Sequence, residues 1–327
     1  MKEVRMVLGW QPEDTLNAEE LAVLLDPNSP GVQEKRFQNI VDAVQFMAAR
    51  TQNSAGGTGI GAQNLFVAPG TYSLSSGTLS VPPQCNMKAG GSETSTVSGS
   101  GQTILSTVAQ LGLASAESYV QGVIFDNTTL PSVIGGTTYA LNLNGIDGVT
   151  YEDCTFQVQV AEANSIAVLL NNCTNITFRN CTFIGPAALS ITGASTDNLN
   201  FNGCEFFAEA QVGVSVAGGG ADINFDNCQV NLLDTTGVNP AVNVSATDVT
   251  FANTLINMES SATRVALDIN GASTVGFLSS AFNNIAAAPD TVNAEAASTF
   301  LYVAAGAVPI ANYNTGGAGT FTNSEIP

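Results

Sequence analysis

The sequence predicts an all-β protein wound as a parallel β-helix, with three short strands in each coil of about 25 residues and a ladder of asparagines at one bend. Three observations predict it. A short motif recurs at near-constant spacing. Apolar and polar residues alternate within every copy. One position in each copy is held by Asn, Asp, Gly or Ser.

The clearest copies are Val149-Thr-Tyr151-Glu-Asp-Cys154-Thr-Phe156 and Ile176-Thr-Phe178-Arg-Asn-Cys181-Thr-Phe183. Leu199-Asn-Phe201-Asn-Gly-Cys204-Glu-Phe206 and Ile223-Asn-Phe225-Asp-Asn-Cys228-Gln-Val230 follow. Two weaker copies carry Phe251 with Thr254 and Phe277 with Ser280, and a half-copy, Val123-Ile-Phe125-Asp-Asn127, precedes them all. The aromatic positions 125, 151, 178, 201, 225, 251 and 277 are 26, 27, 23, 24, 26 and 26 residues apart. A period of this size is the mark of a solenoid, which presents long flat faces rather than one deep cleft.

Alternation with a period of two, as in Ile176, Phe178, Cys181 and Phe183, predicts two strands with one face buried. The residue joining them is Asn127, Asp153, Asn180, Gly203, Asn227, Asn253 or Ser279. Most of these residue types tolerate left-handed backbone, so each copy carries a sharp bend here. A third strand lies between copies, at Leu141–Leu143, Leu189–Ile191, Val214–Val216, Val242–Val244 and Leu267–Ile269, with Leu169 and Leu170 as a less regular equivalent. Stacked coils place Tyr151, Phe178, Phe201, Phe225, Phe251 and Phe277 in an aromatic column, and Cys154, Cys181, Cys204 and Cys228 in a thiol column beside it. The bend residues Asn127, Asn180, Asn227 and Asn253 stack as an amide ladder. Seven coils make a rod about 35 Å long before its caps.

This pattern resembles the pectate-lyase-like right-handed β-helix superfamily, whose members have three sheets and an asparagine ladder at one tight bend. The resemblance spans roughly residues 35 to 305 and includes the opening. There a stretch with apolar residues at helical spacing, Val32 to Arg50, leads into Leu65-Phe-Val-Ala-Pro-Gly-Thr-Tyr72, Leu79-Ser-Val81-Pro-Pro and Met87-Lys-Ala-Gly-Gly91. The resemblance implies a capping helix over the open end of the solenoid, as in many viral β-helices.

The expected organisation follows. Residues 1–31 form an arm for attachment, with Leu16 to Leu25 as a short amphipathic helix and Trp10, Leu16, Leu21, Leu24 and Leu25 as its docking side chains. Residues 32–62 hold the capping helix and a Gly-rich loop that lacks the Lys-Ser/Thr of a phosphate loop. Residues 63–285 are the β-helix, and 286–327, where the repeat dissolves, are a cap or tail. Residues 1–10 lack the continuous apolar stretch and cleavage site of a signal peptide, which points to an intracellular origin.

Composition narrows the chemistry. The 327 residues contain no histidine, which removes Ser-His-Asp, Cys-His and His-based metal sites together. No CxxC occurs, so the six cysteines read as buried small hydrophobes rather than zinc ligands, and no metal or cofactor is expected. Net charge is −19, and five of the eight cations lie in residues 1–50. Such a surface repels nucleic acid and anionic membrane. In the superfamily the catalytic groove runs along the outward positions of one sheet, which the resemblance places at Asn142, Ser190, Ser215, Asn243 and Asp268. A glycosidase needs two carboxylates there, roughly 5 to 10 Å apart, and only Asp268 qualifies. Glu205 with Glu209, and Asp147 with Asp153, are the weaker carboxylate alternatives.

The sequence therefore points to a non-enzymatic virion protein of a bacteriophage, a homotrimeric head decoration or cement protein bound to the major capsid protein or other virion proteins. The alternatives are a tail spike that binds host glycan, or a carbohydrate-active lyase or hydrolase with an atypical carboxylate site.

Overall fold

The computed structural model describes residues 4–8, 33–37, 40–44, 63–67, 69–74, 79–81, 85–89, 95–99, 103–107, 118–128, 137–158, 164–218, 220–233, 239–245, 247–258, 265–271, 273–283, 292–294, 299–303, 313–315 and 320–323. Three sheets of 13, 9 and 10 strands surround one core. We number them in the order the chain enters them from the repeat motif. Sheet 1 holds the aromatic position, sheet 2 follows the bend, and sheet 3 is the connecting strand. In one coil these are Thr174–Arg179, Thr182–Gly185 and Ala187–Thr192. Every third strand pairs in parallel with its counterpart one coil on. Thirteen strands at about 4.8 Å make a rod near 58 Å long.

The bends do what their residue types predict. Asp153, Asn180, Asn227, Asn253 and Ser279 have φ between 48° and 54°, and Gly203 has 64°. The backbone ladder runs straight through them: Asp153 N donates to Arg179 O, Asn180 N to Asn202 O and Asn227 N to Ala252 O, at 2.8–2.9 Å. The side chains form no continuous amide ladder. Gly203 interrupts the row, and the Asn253 amide donates to Asp226 Oδ1 rather than to Asn227. On this surface-exposed row backbone conformation, not amide stacking, selects the residue.

The core has two aromatic columns. Tyr151, Phe178, Phe201 and Phe225 stack at centroid distances of 5.0, 5.2 and 4.6 Å. From sheet 2, Phe125, Phe156, Phe183 and Phe206 stack at 5.4, 5.6 and 4.6 Å. Rings of the two columns meet edge to face, as Tyr151 and Phe156 do at 83°.

Five expectations are corrected. The half-copy at 123–127 sits one strand later than its spacing suggests. Phe125 is in register with Phe156 of sheet 2, and Asn127 with Val158. Val120 takes the sheet 1 core position opposite Tyr151, and Gly122 (φ 72°) makes the bend. Spacing misled because Phe is the inward residue on both sides of the bend. In the second coil Val168 and Leu170 point inward, while Leu169 takes the outward slot beside Asn142 and Ser190. Of the expected capping helix, the described residues include a helical turn at 40–44, where Ile40, Ala43 and Val44 are buried. Gln33–Phe37 is instead a strand beside Val4–Leu8, because pairing at a sheet end overrides local helical spacing. Val4–Leu8 in turn pairs with Gln63–Val67, so part of the assigned arm belongs to sheet 1. The final segment also continues the rod: Thr299–Val303 and Thr320–Asn323 extend sheet 1, and Val292–Ala294 and Tyr313–Thr315 extend sheet 3.

Candidate functional site

Outward positions of sheet 3 form one straight row. Asn142, Leu169, Ser190, Ser215, Asn243, Asp268 and Asn293 are in register. Asp268 is its only carboxylate, and both its oxygens are taken. Asn293 Nδ2 donates to Oδ1 at 2.7 Å and Asn270 Nδ2 to Oδ2 at 2.9 Å. Asn270 Nδ2 also lies 3.2 Å from Asn243 Oδ1. The row ties its own rungs together and offers no acid–base pair.

The four alternative carboxylates fall in different places. Asp147 and Asp153 are separated by the length of the strand Asp147–Glu152, about 20 Å at roughly 3.3 Å per residue. Asp147 Oδ1 accepts from Thr174 Oγ1 at 2.8 Å and from Asn175 Nδ2 at 2.6 Å. Asp153 accepts from Asn180 and Gln121. These two carboxylates do not come together. Glu205 begins the sheet 2 strand Glu205–Ala208, and Glu209 follows it. Glu205 is exposed, and Glu209, in the bend past the strand's end, is about 13 Å from it along the backbone, beyond the spacing of a glycosidase pair.

One cluster has no counterpart in the sequence reading. On the outer face of sheet 1, Lys88, Gln121, Glu152 and Arg179 occupy one row on successive rungs, with Tyr119 in the adjoining row. Tyr119 Oη donates to Glu152 Oε2 at 2.9 Å, and Arg179 Nη1 lies 3.8 Å from the same oxygen. Gln121 Nε2 bridges Glu152 Oε1 at 3.5 Å and Asp153 Oδ2 at 3.4 Å. Desolvation, the Glu152 hydrogen bond and the charges of Glu152 and Asp153 push the Tyr119 phenol up to about 12, with Arg179 opposing. A phenol held so high is a donor rather than a base at neutral pH. Glu152 and Asp153 approach each other closely, yet all four of their oxygens accept from neighbouring rungs. Tyr119 lies 33 residues before Glu152, so only the register, which the misplaced half-copy concealed, could have disclosed this cluster.

Inside the bend, a donor column runs along the rod. Cys154, Cys181, Cys204 and Cys228 are buried and free. Their thiols donate to Val120 O, Tyr151 O, Phe178 O and Phe201 O, one rung back, at 3.4–3.6 Å. Thr254 Oγ1 and Ser280 Oγ make the same bond to Phe225 O and Phe251 O at 3.2 Å. Burial pushes the Cys173 and Cys181 thiols up, which keeps them protonated and unreactive. The column braces the coil.

Trp10, Leu16, Leu21, Leu24 and Leu25, expected to dock the arm, lie outside the described residues. Among those described, no cluster of three or more His, Cys, Asp or Glu side chains could hold a metal ion, and no helix is long and apolar enough to cross a membrane.

Three parallel sheets, a left-handed bend after the first and an inward aromatic column make a three-sheet parallel β-helix. No protein-family model matches the chain, and no curated protein is similar to it in sequence. Solved structures are similar to parts of it. A tailspike protein 2 of an Escherichia coli O157:H7 bacteriophage is similar with a TM-score of 0.47 and 11% identity over 74% of this chain, which spans 39% of the tailspike's length. The A-module of a mannuronan C-5 epimerase from Azotobacter vinelandii has a TM-score of 0.43 and 13% identity over 89% of this chain and 96% of its own. A pectin methylesterase from Aspergillus niger has a TM-score of 0.35 and 14% identity over 91% of this chain and 84% of its own.

Proposed function

We propose that this protein is a non-enzymatic structural component of a bacteriophage virion, a trimeric head decoration or cement protein held through its N-terminal part. The observation that carries the non-enzymatic reading is the outer row of sheet 3. Where related folds keep catalytic groups, this row has a single carboxylate, Asp268, with both oxygens engaged by Asn270 and Asn293. Backbone ladders run along the rod, and stacked rings and the thiol–hydroxyl column brace its central coils, which suits a load-bearing role. The partners of this reading are two further copies of the chain and the major capsid protein or another virion protein.

Purified particles test it. A decoration protein is present at on the order of hundreds of copies on a symmetric shell, and heads stripped of it become fragile. A few tens of copies or fewer, located at the tail, favour the second reading, a spike that binds host surface polysaccharide. That reading draws on the outward-facing group Glu205, Phe207 and Glu209. Release of reducing ends or unsaturated products from host glycan, lost in Glu205→Gln or Glu209→Gln, would overturn the non-enzymatic assignment.

A further inference from the structure

The outer face of sheet 2 carries a group of side chains that bracing does not explain. Strand Glu205–Ala208 turns Phe207 outward, between Glu205 before it and Glu209 after it. Phe207 leaves both aromatic columns. Its ring is only half-buried, and Ile184 and Asn231 flank it on the preceding and following rungs. Leu233, at 38% exposure, lies beyond Asn231 on the same face.

Behind the ring, an amide ladder ends without a partner. Asn257 Nδ2 donates to Asn231 Oδ1 at 2.9 Å, and Gln229 Nε2 donates to the same oxygen at 2.8 Å. These bonds fix the Asn231 amide and turn its Nδ2 toward the rung of Phe207. In a continuous ladder that rung would supply the next acceptor, but Phe207 has none. Asn231 is only 6% exposed, and its Nδ2 has no hydrogen-bond partner. A buried amide N–H left unpaired costs about 1–3 kcal/mol unless something outside the chain accepts from it.

We infer that Phe207, Asn231, Glu205 and Glu209 form a binding site for a neutral saccharide. The chemistry follows from the four groups. The ring offers an apolar floor to the C–H face of a sugar. Asn231 Nδ2 donates to a sugar oxygen. The Glu205 carboxylate, about 6 to 7 Å along the strand before the ring, and the Glu209 carboxylate, just past the strand's end, accept from hydroxyls at the sugar's edges. The same carboxylates, on a chain of net charge −19, repel a uronate. The site therefore prefers neutral hexose polymers to polyuronates. It lies on a different sheet from the empty row. This inference deepens the polysaccharide-binding reading and does not depend on where the protein sits in a particle.

The test uses the purified full-length chain and saturation-transfer NMR with titration. The probes are dextran fragments, cello-oligosaccharides and chito-oligosaccharides, with oligogalacturonate as the charged comparison. The expected result is millimolar or tighter binding to at least one neutral oligomer and at least about tenfold weaker binding of oligogalacturonate. Phe207→Ala weakens the neutral ligand at least about tenfold, and Glu205→Gln about two- to fivefold, with the circular dichroism spectrum unchanged. Glu205→Gln is on an exposed side chain, so its effect remains readable if Phe207→Ala misfolds. Absence of binding by every neutral probe at about 10 mM, preference for the uronate, or unchanged affinity in both variants overturns the proposal. Binding without a virion, or a virion without binding, separates this site from the structural assignment.

Discussion

The coils from Tyr151 to Phe225 and those beyond Phe251 share one plan, yet their cores pack differently. Phe178 and Phe201 are parallel to within 1°, and Phe201 and Phe225 to within 6°. Phe251 and Phe277 are tilted by 54° and lie 6.1 Å apart. The difference comes from sheet 2. In the central coils Phe183 and Phe206 press edge-on against the sheet 1 rings and hold them flat. Further on, the sheet 2 positions are Val230 and Ile256, and Phe277 turns to stack on Phe282 at 4.6 Å and 9°. Rung spacing alone therefore does not orient a ring; the rings it touches do, as Phe225 holds Phe251 and Phe282 turns Phe277.

This comparison makes the centre the costlier place to cut. Phe201→Ala removes a ring stacked on both sides and should destabilise the rod by about 3–5 kcal/mol. Phe277→Ala should cost about 1 kcal/mol less, since that ring stacks on Phe282 but is only tilted against Phe251. Paired urea-unfolding curves measure both, and equal losses would break the distinction between the two regions.

The donor column sharpens the same contrast. Thr254 Oγ1 donates to Phe225 O and accepts from Cys228 N at 3.3 Å. Thr254→Val strands that buried N–H and should cost about 1–3 kcal/mol by denaturant titration. Cys204→Ala loses only weak thiol donations to Phe178 O and Asn202 O, so about 1 kcal/mol is expected, and Cys204→Ser should restore the bond.

At the bend, Gly203→Ala imposes φ 64° on a side chain and brings a Cβ to 2.6 Å of Asn180 Oδ1. Asn180 is exposed and can swing aside, which leaves about 1–2 kcal/mol of backbone strain, visible as a lower melting temperature.

The smallest stability change belongs to Glu152→Gln on the surface, below about 1 kcal/mol. Its spectroscopic signature is larger. Without the Glu152 charge, the Tyr119 phenol should fall from about 12 back toward its ordinary 10.0, seen as ultraviolet absorbance against pH. In the native protein the sign is fixed. The stability that the protonated Tyr119 lends is complete below pH 10 and is lost as pH rises through about 12, because the unfolded chain releases this proton first.

Much of this was legible in the residues. Tyr151, Phe178, Phe201, Phe225 and Phe251 are the sheet 1 core because an apolar residue two places from the next must face the same way. Asp153, Asn180 and Asn227 are the bends because few other residues accept a positive φ. Three apolar residues in a row, Val168 to Leu170, hide the alternation that would mark Leu169 as outward. Phe125 mimics a sheet 1 ring because Val120, which holds the sheet 1 core position of that coil, carries no aromatic signal.

By itself, then, the sequence determined the coil: three strands, a left-handed bend, and the residues that face inward. These are local properties, written in a period of two and in the few side chains that tolerate one backbone conformation. Tertiary structure alone decided which rung lies on which. Val120 pairs with Tyr151, 31 residues on, whereas Phe178 pairs with Phe201, 23 residues on. Interstrand hydrogen bonds set that register and absorb the difference in loops, so spacing cannot reveal it. The end strands, the Tyr119–Glu152–Arg179 cluster and the unpaired Asn231 amide beside Phe207 all follow from that stacking.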